Sequence, residues 1–208
     1  MKITEILQDI KEKAIFQPVT LIAVSKQVSI EKMKEAYQAG LRDFGESRLQ
    51  SALDKKKEMP EDVIWHFIGP IQSNKAKAIA TTFDWIHSIA SLKAATIISE
   101  TCVSLGRKIP CFIEVNISKE PAKQGFLEKE LEEALPALQA LEGLEIKGFM
   151  TIAPLTKDEQ KIHLSFQRLA SLQKQFGYPY LSMGMSQDYV IALQEGATHI
   201  RIGSYLFS

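Results

Sequence analysis

Short, apolar, β-branched runs alternate along this chain with stretches whose apolar residues recur at helical spacing. Strands separated by helices of roughly 10–15 residues form βα units, and strands joined in this way lie parallel. The spacing predicts strands at 19–24, 41–44, 64–67, 85–87, 110–116, 145–150, 180–182 and 199–202. Helices are predicted at 30–39, 47–58, 73–80, 91–105, 127–140, 158–176 and 187–195. An extra N-terminal amphipathic helix precedes them, carried by Ile3, Ile6, Leu7, Ile10 and Ala14. Eight parallel strands can close into a (β/α)8 TIM barrel. The competing open, doubly wound sheet usually has fewer strands and a Gly-rich first turn, but residues 25–29 read SKQVS, without glycine. The expected fold is therefore an α/β TIM barrel forming one domain over 1–208.

Composition narrows the class of function. At 45% hydrophobic and 24% charged, the chain can bury a sizeable core. Lys plus Arg and Asp plus Glu both total 25, so no global field draws the chain to nucleic acid or to an anionic membrane. Cys102 and Cys111 have no Cys-x-x-Cys spacing, and a fold of this size would not depend on one bridge. The N-terminal MKITEILQDIKEKA interrupts its apolar residues with charge, unlike a secretory signal, and no apolar run approaches the roughly 18 residues of a membrane span. A cytoplasmic protein is expected.

In a barrel, functional side chains gather at the C-terminal ends of the strands. Ile22, Val24 and Lys26 share a face by period two, which brings the Lys26 amine toward the mouth. A lysine in a partly dry site becomes a nucleophile toward aldehydes, while a strand-end lysine equally snorkels to water. In THIRIGS, residues 198–204, Ile200 and Ile202 face outward and leave His199, Arg201 and Gly203 to the interior. An inward Arg201 needs a carboxylate, a phosphate or a polar ring atom, or else serves as a structural ion pair. LSMGMSQD, residues 181–188, offers Ser186 as a helix cap, Gly184 for close backbone approach and free N–H groups, the makings of a phosphate site or of an ordinary cap. WHFIGPIQSNKAK, residues 65–77, could line the mouth with His66, Gln72, Asn74 and Lys75, and Ser73 could cap the helix that follows. Glu46, ending FGE, either pairs with a lysine or caps a helix. His66, His87 and His199 lie near strand ends, but no His-x-His or His-Glu-x-x-His pair or matching carboxylate set supports a metal centre, and no Gly-x-Ser-x-Gly elbow supports hydrolysis.

AVSK ending at Lys26, FGE at 44–46, WHFIGPIQSNK at 65–75, EVNIS at 114–118, LSMGMSQD at 181–188 and RIG at 201–203 together resemble the pyridoxal phosphate homeostasis protein family. These are single-domain proteins built like the alanine racemase N-terminal domain, fold type III, that hold pyridoxal 5'-phosphate (PLP). The resemblance implies that Lys26 forms the internal aldimine and that Ser182, Met183 and Ser186 lie where the phosphate is held, aided by backbone near Gly203. It implies that Arg201 faces the pyridine nitrogen, with Asn74 and His66 also at the cofactor. The family usually has Asn after FGE, where this chain has Ser47, so a hydrogen bond from that position is in doubt.

A cationic arginine disfavours ring protonation and so weakens PLP as an electron sink. Racemases of similar build add a tyrosine base with a C-terminal β domain, for which eight βα units leave no room in 208 residues. The expectation is therefore a non-enzymatic PLP carrier without catalytic residues or a metal, serving vitamin B6 and amino-acid pools. Apo PLP-dependent enzymes are possible recipients, and the protein is expected as a monomer or weak homodimer. The alternative is a PLP-dependent amino-acid racemase.

Overall fold

The computed structural model describes residues 3–14 and 17–207. Helix α1 (Ile3–Lys13) comes first, followed by β1 (Thr20–Val24), α2 (Ile30–Gln38), β2 (Asp43–Glu46), α3 (Leu49–Lys56) and β3 (Ile64–Phe67). A 3-10 turn, Ser73–Lys75, leads into α4 (Ala76–Thr82), β4 (Trp85–Ile89), α5 (Leu92–Ser104), β5 (Ile109–Glu114) and α6 (Glu128–Gln139). Then come β6 (Leu144–Met150), α7 (Glu159–Phe176), β7 (Tyr180–Met185), α8 (Tyr189–Gln194), β8 (His199–Ile202) and the short α9 (Ser204–Phe207). The strands pair in chain order into a closed parallel barrel, and β8 returns to β1 with Thr20 opposite His199 and Ile22 opposite Arg201.

Local chemistry sets the ends of the elements. Ser29 accepts from the Lys32 amide to start α2, and Ser91 accepts from Ala94 to start α5. Asp158 starts α7, which stops at Gly177 in the left-handed region, φ 72°. The second strand begins two residues later than the apolar pattern predicts. The Leu41 amide still bonds to Ala36 O, so this buried leucine closes α2, and the strand runs on through FGE. The 3-10 turn starts from Gln72 without a side-chain cap, so Ser73 does not act as one.

Period-two alternation divides each strand between two cores. Leu21, Ala23, Phe44, Met183, Ile200 and Ile202 join the helix-facing core. The lumen is filled by side chains rather than left open. Phe112 lies 4.6 Å from the His87 ring, 4.9 Å from His199 and 5.7 Å from Trp85 between centroids, and Tyr180 lies 5.2 Å from His199. This aromatic packing blocks the lumen and leaves the opposite mouth, where the βα loops gather, for a ligand. Helix α1 packs against α8 and α9, with Asp9 accepting from the Tyr189 hydroxyl at 2.5 Å. Among the described residues no helix is long and apolar enough to cross a membrane.

Candidate functional site at the barrel mouth

Lys26 lies two residues past β1, in the first βα loop, exposed and without a hydrogen bond or ion pair among the described residues. Its backbone is held from below. Glu46 at the end of β2 is 1% exposed and accepts from Lys55 Nζ at 2.6 Å and from Ser25 Oγ at 2.8 Å. Lys55 Nζ also donates to Ser25 O at 2.6 Å. Of the two roles open to Glu46, the structure shows the lysine pair, and the pair clamps the residue that precedes Lys26.

Arg201 points into the lumen and is 5% exposed, as the alternation of β8 requires. Its Nη1 donates to Ser182 Oγ at 2.5 Å and its Nη2 to Thr151 O at 3.0 Å. Among the described residues it forms no ion pair with a carboxylate, and three further N–H donors remain for a ligand. Burial lowers its pKa to about 10, opposed by the nearby charges of Asp188 and Glu114, so it stays cationic at neutral pH. Burial raises both of those carboxyl groups above their usual range, while Arg201 pulls them back.

The loops after β7 and β8 meet beside it. Ser186 is not the helix cap. The N-cap position of α8 falls to Asp188, whose carboxylate accepts from the Met185 amide at 2.5 Å and folds the loop back on itself. This frees Ser186 Oγ to face the Gly203 amide at 3.4 Å. A Cβ at Gly203 would sit 3.2 Å from Val24 O and 3.3 Å from Val24 Cβ, so glycine lets β8 close tightly on the strand that leads to Lys26.

Two of the expected phosphate contacts are placed elsewhere. The Ser182 hydroxyl lies wholly inside the lumen, bonded to Arg201 and, at 2.8 Å, to His87 Nδ1. The Met183 side chain is turned outward into the helix layer, which leaves only its backbone for a ligand. His66 is not at the mouth. It is 1% exposed, with Nε2 2.9 Å from Asp43 at the start of β2 and Nδ1 3.0 Å from His87 Nε2. Strand tilt carries its ring toward the foot of the barrel. Asn74 is exposed on the 3-10 turn after β3 and makes no hydrogen bond among the described residues.

A cavity of about 350 Å³ opens at the mouth between the loops after β3, β5 and β6, lined by Ile68, Pro70, Glu114, Asn116, Lys123 and Ile152, among others. Lys123 Nζ ties its wall together by donating to Ala153 O at 3.0 Å and to Glu120 Oε1 at 2.7 Å. Glu114, His87 and Thr151 were not singled out for this site by the sequence. EVNIS does point to Glu114 at a strand end, but nothing local signals that Thr151 presents its carbonyl to Arg201.

A family model described as alanine racemase, N-terminal domain, matches residues 2–208. A pyridoxal phosphate homeostasis protein of Pseudomonas aeruginosa is 42% identical over 192 residues, spanning 91% of this chain and 84% of its own. PipY of Synechococcus elongatus PCC7942, solved with PLP bound, superposes with a TM-score of 0.88 at 38% identity over 99% of this chain and 100% of its own. Alanine racemase of Clostridium difficile shares the fold at 16% identity and a TM-score of 0.74, this chain spanning 54% of that enzyme. The closed barrel is thus of the alanine racemase N-terminal domain class. Within that class the chain belongs to the pyridoxal phosphate homeostasis protein family.

Proposed function

We propose that this chain is a cytoplasmic, single-domain protein that holds PLP at its barrel mouth and serves the cell's supply of that cofactor without robust turnover. The residues suit the group. Lys26 offers an amine without a competing partner among the described residues, and the hydroxyl of Ser186 accepts from the Gly203 amide at 3.4 Å, where the missing Cβ of Gly203 lets the two loops meet beside Val24. Arg201 offers unused N–H donors to a ring nitrogen. When bound, PLP supplies an aldehyde for amines and a ring that withdraws electrons. We assign Lys26 to the aldehyde, Ser186 with Gly203 and the Met183 backbone to the phosphate, and Arg201 to the ring nitrogen. Ser182 acts on Arg201 rather than on the ligand, and Asn74 remains a mouth residue without an assigned contact.

The observation that carries the non-catalytic reading is Arg201 itself. A buried cation, paired with no carboxylate among the described residues, opposes a proton on the ring nitrogen facing it, and the electron sink that racemisation needs is weak without that proton. The relatives' name, pyridoxal phosphate homeostasis protein, supports the same reading. Recipients would be apo PLP-dependent enzymes, and the protein is expected as a monomer or weak homodimer.

Borohydride reduction of the PLP-loaded protein, followed by peptide mapping, should leave a pyridoxyl group on Lys26, and its absence there would end the binding assignment. A panel of free amino acids should show no Lys26-dependent racemisation at rates typical of racemases. Such a rate would instead establish the enzyme.

A further inference from the structure

The lumen holds a continuous line of side-chain hydrogen bonds. From Arg201 Nη1 it passes to Ser182 Oγ at 2.5 Å, and from Ser182 Oγ to His87 Nδ1 at 2.8 Å. It continues from His87 Nε2 to His66 Nδ1 at 3.0 Å, and from His66 Nε2 to Asp43 Oδ1 at 2.9 Å. The four inner members, Arg201, Ser182, His87 and His66, are at most 5% exposed, while the Asp43 side chain is 26% exposed at the foot of the barrel. The line therefore joins the mouth to the opposite end.

Chemistry gives the line a direction. A guanidinium only donates and a carboxylate only accepts, while a neutral imidazole does one at each nitrogen. Burial drives the His87 pKa well below its usual value, and His66, His199 and Arg201 push it the same way, so its ring is neutral. Counted with one proton on each imidazole, a single assignment makes every bond. Arg201 donates to Ser182, Ser182 to His87 Nδ1, His87 Nε2–H to His66 Nδ1, and His66 Nε2–H to Asp43. A barrel interior is ordinarily layered with branched apolar residues, and a buried polar line is costly to desolvate unless all its members are satisfied. Every link of this one is made, and what is left over is the set of unused donors on Arg201.

We propose that Asp43, His66, His87 and Ser182 are positioning residues for Arg201, forming a one-way hydrogen-bond chain that sets which guanidinium donors are left for the cofactor. This rests on the assignment of Arg201 to the ring nitrogen. Asp43 is the anchor: by accepting at the foot, it fixes the tautomer of both rings and so makes Ser182 accept from Arg201.

Nitrogen-15 NMR of the PLP-free protein tests the direction. Both His66 and His87 should be neutral and protonated at Nε2, and a doubly protonated His66 or an Nδ1-protonated His87 would overturn the proposal. In Asp43→Leu the acceptor is gone, and His87, which does not touch residue 43, should move to the Nδ1–H form. Asp43→Asn keeps an oxygen acceptor and should keep the original tautomer. With PLP bound, Asp43→Leu should shift the cofactor's absorption maximum and release PLP about fivefold faster, with Asp43→Asn restoring both. An unmoved tautomer, or a moved tautomer with an unmoved cofactor spectrum, would refute positioning. Tautomers in the unsubstituted protein decide the direction even if the leucine variant does not fold. Failure of PLP to attach at Lys26 would appear separately, in the borohydride map.

Discussion

Buried polar groups cost this protein very different amounts according to whether they are answered. Ser165 Oγ on α7 is the one buried side-chain polar atom without a partner among the described residues. Ser165→Ala should therefore leave stability unchanged or raise it by up to about 1 kcal/mol, read from the denaturant midpoint. Ser182 stands at the other extreme, accepting from Arg201 and donating to His87. Ser182→Ala strands a buried donor and a buried acceptor, and an equilibrium unfolding series should show a loss of about 1–3 kcal/mol. The inward direction of Arg201 was legible because β-strands alternate with period two. The identity of its partners was not, because Ser182 and Thr151 lie 19 and 50 residues away in the chain and meet it only when the strands assemble. His66 was misplaced for a related reason: a residue near the end of a short, tilted strand can still send its ring toward the foot. Ser186 looked like a cap because serine before a helix usually is one, but Asp188 two residues on is better placed to fold the loop.

At the scale of elements, the pair between β2 and α3 bears directly on the site. Glu46 is 1% exposed and the Lys55 side chain 11% exposed, so removing either partner strands a buried charge. Lys55→Met should cost about 3–5 kcal/mol, and Glu46→Gln with Lys55→Met should cost less than Lys55→Met alone, in a double-mutant cycle followed by chemical denaturation. Glycine constrains the packing of β6 on β7 in the same way. A Cβ at Gly148 would fall 1.8 Å from Tyr180 O, so Gly148→Ala should break that strand pairing and lower the melting temperature sharply. The order and type of all eight strands could be read from the sequence, because each buried apolar run is short and bracketed by helical spacing. Their ends could be read less well. Strand β4 continues to Ile89 and strand β2 to Glu46, because pairing with a neighbour extends a strand past its apolar run.

For the molecule as a whole, the lumen histidines tie stability to pH. Burial brings the His199 pKa down from 6.5 to about 3 and takes His87 well below its usual value. The unfolded chain takes up protons at both residues as the pH falls through about 6.5, and the folded barrel does not. Their contribution is complete above that pH and is lost as the pH falls below it, for His199 until about pH 3 at about 1.4 kcal/mol per unit. Glu114 and Asp188, with raised values, offset part of this in the carboxylate range. Thermal melts should therefore fall between pH 7 and pH 5, and His199→Phe should remove about half of the slope.

Strand β8 is laid against β1, with Ile22 opposite Arg201, so the strand that leads to Lys26 and the strand that carries Arg201 come together from distant stretches of the chain. During synthesis on the ribosome, the amine emerges early, while the arginine and the Gly203 amide emerge only after every intervening strand. On the proposed roles, a nascent chain presents the amine before it has the groups assigned to the phosphate and ring. By that assignment, retention of the cofactor is a property of the finished barrel alone.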